Sequence, residues 1–189
     1  MTMFGKRKQL KRLAEELRVA ANRDASERAK RYLEVVPHDI VPDSHFADIS
    51  VECARLHRDG HFYGSIALCQ AVGEAIVRRI RERTAVPAGE LESVVRTLAE
   101  HQIIPSSVRD DLLELWQRRN DYHHLNPSIE TDRGESEALS RRKNQLLKSI
   151  ETEMFGYDVQ DGRLKLRYPS LWNVQGDQTS AFLRFDNPR

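Results

Sequence analysis

Cysteine is nearly absent from this chain. Cys53 and Cys69 are its only two, in no paired spacing, which argues against a disulfide framework and against a thiolate zinc site. Both fall on apolar stripes of expected helices and read as small core residues. Long hydrophobic runs are also missing: no stretch approaches the roughly 18 to 20 apolar residues that span a bilayer, so no membrane association is expected. The basic stretch Lys6 to Arg12 is followed by leucines interleaved with charges and not by the apolar core of a secretory signal, so the expected location is cytoplasmic. No Gly-rich phosphate loop, HExxH, CxxC or DxDxDG pattern occurs, and there is no internal repeat or low-complexity tract. The usual nucleotide and metal enzymes therefore find no support, and neither a metal nor a cofactor is expected.

Nor is there a dominant charge. Thirty Lys and Arg stand against 29 Asp and Glu, a net +1, so composition alone does not mark a nucleic-acid binder. What is present is a globular balance, 31% charged and 39% hydrophobic over 189 residues, enough chain for one domain with appendages. Basic residues cluster at Lys6 to Arg31, Arg78 to Arg83 and Arg141 to Lys148. Each run either forms a patch favourable to phosphate or is a solvated helix face.

Apolar spacing predicts an all-α fold, an up-and-down helical bundle with additions at both ends. Leu10, Leu13 and Leu17 lie at helical spacing among charges within about 6–36, a narrow seam that wants a partner surface. Pro37 and Pro42 break the pattern. Ser44 is the expected cap of a helix carrying Phe46, Ile49, Cys53 and Leu56 and ending at Asp59-Gly60. A helix over about 61–84 carries Ile66, Cys69, Gly73, Ile76 and Ile80 on one face. Val94, Val95 and Leu98 mark a shorter one. Ser107 caps the next, with Val108, Leu112, Leu115 and Trp116 as its stripe. Leu139, Leu146, Ile150 and Met154 mark a last long helix, stopped at Gly156. From Gly162 the pattern alternates, and Leu164 to Tyr168 with Phe182 to Phe185 suggests a small β-ribbon or an irregular tail. The expected organisation is an N-terminal basic amphipathic helix and linker over 1–43, a helical bundle over 44–156, and a β-ribbon or extended tail over 157–189.

The chemistry-bearing residues crowd one helix terminus. Continuing the helix from Val108 at 100° per residue puts Arg119 inside the apolar arc. A buried guanidinium needs a carboxylate, a subunit interface or an anionic ligand. Asn120, Asp121, Tyr122, His123 and His124 follow at once, before Asn126-Pro127 ends the helix. Glu74, in mid-helix, is an available charge partner, though a solvent-facing Glu is the commoner outcome.

An Arg, a polar residue, three further residues and a His at the end of a bundle helix resemble the R-x4-6-H motif of HEPN-domain ribonucleases; Arg119, Asn120 and His124 match its R-N-x3-H form. The resemblance covers Ser44 to Gly156, with the helix of His61 to Arg83 similar to the family's first core helix. Where toxin-type members carry a Tyr two positions after the His, this chain has Asn126. The pair Arg118 and His123 satisfies the same spacing, and on an ideal helix His123 lies one turn from Arg119.

The resemblance implies a metal-independent endoribonuclease that cleaves RNA through its own 2′-hydroxyl, leaving a 2′,3′-cyclic phosphate. Arg119 would stabilise phosphoryl charge. His124, or His123 as the alternative, would move protons near neutral pH, and Asn120 would orient the imidazole or bind a phosphate oxygen. Tyr122 and Arg118 are candidate substrate-binding residues. It further implies a homodimer with the motif at its interface, an antitoxin or other regulatory protein as a partner, and a role as a toxin or phage-defence effector. A non-catalytic helical dimerisation or protein-interaction module is the competing expectation, resting on the Leu10, Leu13, Leu17 seam. A DNA-binding protein would need a docking motif that the chain lacks.

Overall fold

The computed structural model describes residues 3–123, 126, 132–175 and 178–184. Seven helices are described: α1 (Met3–Glu34), α2 (Ser44–Arg58), α3 (Phe62–Thr84), α4 (Leu91–Glu100), α5 (Ser106–Trp116), α6 (Arg119–His123) and α7 (Arg133–Met154). The molecule is mostly helical, with small antiparallel β-pairs near the C-terminus.

Helix α3 is the axis of the bundle. Its Ile66, Cys69, Val72, Ile76 and Ile80 recur every three or four residues and are buried, against α2 and α7 along most of its length and against α4 and α5 on a third side. Burying each such aliphatic side chain stabilises the fold by about 1.5–3 kcal/mol before ordering costs. Close approach of α5 depends on Gly73, where any Cβ would collide with Leu115. Both cysteines are buried, Cys53 on α2 and Cys69 on α3.

Two expected caps are corrected. Helix α2 is capped by Asp43, whose carboxylate accepts from the His45 amide at 2.8 Å, and Ser44 is already its first residue. Helix α5 starts after Pro105 with no side-chain cap, so Ser107 lies inside it; the fixed φ of Pro105 sets the entry in place of a hydroxyl.

The C-terminal chain is more ordered than its alternation suggests. Strand β2 (Tyr157–Gln160) pairs with β3 (Arg163–Leu166) through Asp161 (φ 51°) and Gly162 (φ 72°), the two left-handed residues of a tight hairpin. A 3-10 turn, Pro169–Leu171, leads to a second hairpin, β4 (Asn173–Gln175) with β5 (Gln178–Ser180). The last strand, β6 (Phe182–Leu183), pairs not with the 164–168 segment but with β1 (Ile40–Val41), Ile40 opposite Leu183. The basic run on α3 holds this segment. Arg79 donates to the Leu171 carbonyl, and Arg83 to the Ser170 and Trp172 carbonyls and to Asn173 Oδ1. Arg184 enters the bundle and forms a bidentate pair with Glu151, both bonds 2.7 Å and both side chains buried.

Helix α1 joins this body only by its last turns. Arg28 pairs with Asp59, Arg31 with Glu137, and the Arg58 guanidinium lies 3.9 Å from the centre of the Tyr32 ring. Residues 5–13 and 21–30 are exposed, Leu10 and Leu13 among them, and so is Leu17. No helix among the described residues is long and apolar enough to cross a membrane.

Candidate functional site

The expected single helix running from Val108 through Arg119 is broken. Helix α5 stops at Trp116, Gln117 is extended (ψ 135°) and Arg118 adopts the left-handed conformation (φ 61°). Arg119 then begins the short α6, so its placement in the apolar stripe of α5 is corrected. The cause is tertiary. In a continuous helix the carbonyls of Glu114, Leu115 and Gln117 would accept amides four residues on. Here Gln70 Nε2 donates to the Leu115 and Gln117 carbonyls at 3.1 and 3.3 Å. Lys143 Nζ donates to the carbonyls of Glu114 and Gln117. Trp116 Nε1 donates to the Gln70 carbonyl at 3.2 Å, closing the junction from the other side. Side-chain donors thus replace the helix's own amides.

Neither donor came out of sequence reasoning, yet both left a signal. Lys143 sits on the stripe of Leu139, Leu146 and Ile150, and Gln70 is one turn from Ile66. Each is a polar residue on a face expected to be apolar. Burial pushes the Lys143 ammonium down to about 8, with the nearby Glu114 carboxylate opposing the shift.

Past the break, Arg119 turns toward α3. Its Nη2 donates to Glu74 Oε2 at 3.0 Å, and Arg78 Nη2 donates to the other oxygen of the same carboxylate at 3.3 Å. Two guanidiniums therefore share one carboxylate, leaving one positive charge in excess. Arg119 Nε is buried without a hydrogen-bond partner among the described residues, while its side chain as a whole keeps 41% exposure. Glu74, the available charge partner in mid-helix, is the residue that orients it.

Arg118 is exposed. It pairs with Asp121 at 3.2 Å, its guanidinium 5.7 Å from the Tyr122 ring centre. Asn120 is exposed. Tyr122 is 3% exposed, its ring centre 4.9 Å from that of Tyr63, whose hydroxyl donates to the Asp121 and Tyr122 carbonyls at 3.1 and 2.8 Å. Burial raises the Tyr122 phenol above its usual value. In this chain Tyr122 is an anchor of α6 on α3. His123 ends α6, one turn after Arg119, and His124 lies outside the described residues.

Arg118, Arg119, Asn120 and Asp121 form one wall of an open cleft of about 440 Å³, with Leu91 and Glu92 of α4 and Leu113 and Trp116 of α5 around it. One wall offers the Arg118 and Arg119 guanidiniums and the Asn120 amide beside the Asp121 carboxylate, and the other sets Glu92 among Leu91, Leu113 and Trp116. Among the described residues no group of three His, Cys, Asp or Glu side chains is placed to hold a metal ion. No protein-family model, curated protein or solved structure matches the chain.

Proposed function

We propose that this chain is a HEPN-type, metal-independent endoribonuclease, with RNA bound at the Arg119 cleft. The observation that carries the proposal is the state of Arg119: held by a Glu74 carboxylate that it shares with Arg78, and lining a cleft beside Asn120. A guanidinium oriented from behind and free in front is suited to the developing charge on phosphoryl oxygens. Its planar fork makes Lys a poor substitute.

In this scheme the RNA 2′-oxygen attacks the adjacent phosphorus and the bond to the 5′-oxygen breaks. One proton leaves the 2′-hydroxyl and one reaches the departing 5′-oxygen, giving a 2′,3′-cyclic phosphate and a 5′-hydroxyl. Histidine is the side chain whose ordinary pKa allows both transfers near neutrality; His124 is assigned that role, with His123 as the alternative. Asn120 is assigned to a phosphate oxygen or to the imidazole. An antitoxin or other regulatory protein would act by covering the motif, as suits a toxin or a phage-defence effector.

The proposal is tested by incubating the protein with end-labelled RNA in EDTA beside an otherwise identical RNA carrying 2′-deoxy sugars. Cleavage of the first alone, with cyclic-phosphate ends, is the expected result. Equal cleavage of both, or 3′-hydroxyl ends, contradicts it.

The second reading, a helical interaction module without catalysis, is favoured by one feature, the exposed leucines of α1. It predicts no cleavage from a folded protein and loss of partner binding when Leu10, Leu13 and Leu17 are changed.

A further inference from the structure

Residues 3 to 27 of α1 make a helical arm about 37 Å long at 1.5 Å per residue, beginning where the described chain begins and ending just before Arg28 turns onto Asp59. Leu10, Leu13 and Leu17 are 70%, 53% and 62% exposed, and their spacing of three and four residues puts them on one side of the helix with Ala14, Ala20 and Ala21. Two charged residues interrupt this seam, Lys6 at one end and Asp24 at the other. Arg7, Lys8, Lys11, Arg12 and Arg18 project at least 80° away from it.

We propose that this arm pairs with the α1 arm of a second copy of the chain in an antiparallel coiled coil centred on residue 15. In that register Leu13 faces the other copy's Leu17, and Leu10 faces its Ala20, a large residue against a small one. Lys6 faces Asp24, so the two charges that spoil the seam of an isolated helix neutralise each other across the pair, twice by symmetry. A parallel pairing would set Lys6 against Lys6 and Asp24 against Asp24. In this register position 27 falls opposite position 3, so the pairing stops short of Arg28, where α1 meets the body. The two bodies lie at opposite ends of the coil, and no residue of the Arg119 cleft takes part. The inference is independent of any catalytic activity.

Sedimentation equilibrium of the full chain at about 0.1 M salt tests it with Lys6→Asp, Asp24→Lys and the two combined. The parent should dimerise. Each single reversal turns two attractive contacts into two repulsive ones and should raise the dissociation constant roughly tenfold or more. The double reversal restores opposite charges and should bring the constant back toward the parent's. Leu13→Glu should abolish association while leaving the thermal unfolding of the body unchanged. A parent that stays monomeric, or single and double reversals that associate alike, overturns the proposal.

Discussion

Two guanidiniums on one carboxylate cannot be balanced locally, and Arg119 is one of such a pair. Among the described residues, Glu74 is the one carboxylate that pairs with Arg78 and with Arg119. The Arg118–Asp121 pair alongside is balanced and exposed, and contributes little to stability. A different residue contributes to the response to acid. His57 is buried, its Nδ1 sits 3.0 Å from Ser140 Oγ, and burial pushes its pKa down to about 4. The unfolded chain, with an ordinary histidine near 6.5, therefore binds more protons between those values. The stability His57 confers is complete above about pH 6.5 and is lost as pH falls toward 4, up to about 3 kcal/mol. Urea unfolding from pH 7 to pH 4 should show the parent losing about that much more than His57→Gln; parallel pH profiles would remove His57 from the explanation.

Among the elements, α3 and α5 are the pair whose contact positions the cleft. Replacing Gly73 with Ala drives a methyl group into Leu115 and should cost about 1–3 kcal/mol, as overpacked sites do, read as a lower urea midpoint at unchanged slope. An unaltered midpoint would mean that α5 can withdraw freely. The bundle helices were legible in the sequence because each buries one face, and the stripes of Ile66 to Ile80 and Leu139 to Met154 announce it. The break at Gln117-Arg118 was not legible. Nothing local demands it; the two donors that permit it come from 47 residues before (Gln70) and 26 after (Lys143). The same limit hid the partner of β6. A two-residue strand has no periodicity to read, and β1 lies some 140 positions earlier. The motif residues themselves were visible, whereas Glu74, which orients Arg119, was visible only as one Glu among many.

For the whole molecule, the C-terminal segment is part of the body and not an appendage laid on it. Arg184 and Glu151 form a buried pair completed by the Ser50 hydroxyl at 2.6 Å and by the carbonyls of His38 and Phe46. Removing one partner leaves the other charge buried and alone. Arg184→Ala should therefore destabilise by about 3–5 kcal/mol, measured by thermal or urea unfolding, while an exchange of both residues for apolar ones should be far milder. Additive losses from the two single changes would contradict that coupling.

At this same scale stands the assignment of RNA cleavage to the Arg119 cleft. The most direct measurement compares the parent, Arg119→Ala and His124→Ala on labelled total RNA in EDTA, with circular dichroism confirming that all three are folded. The expected outcome is cleavage by the parent, with each variant slowed at least about a hundredfold. Variants that cut as fast as the parent, or a folded parent that cuts none of several RNAs, would contradict the assignment.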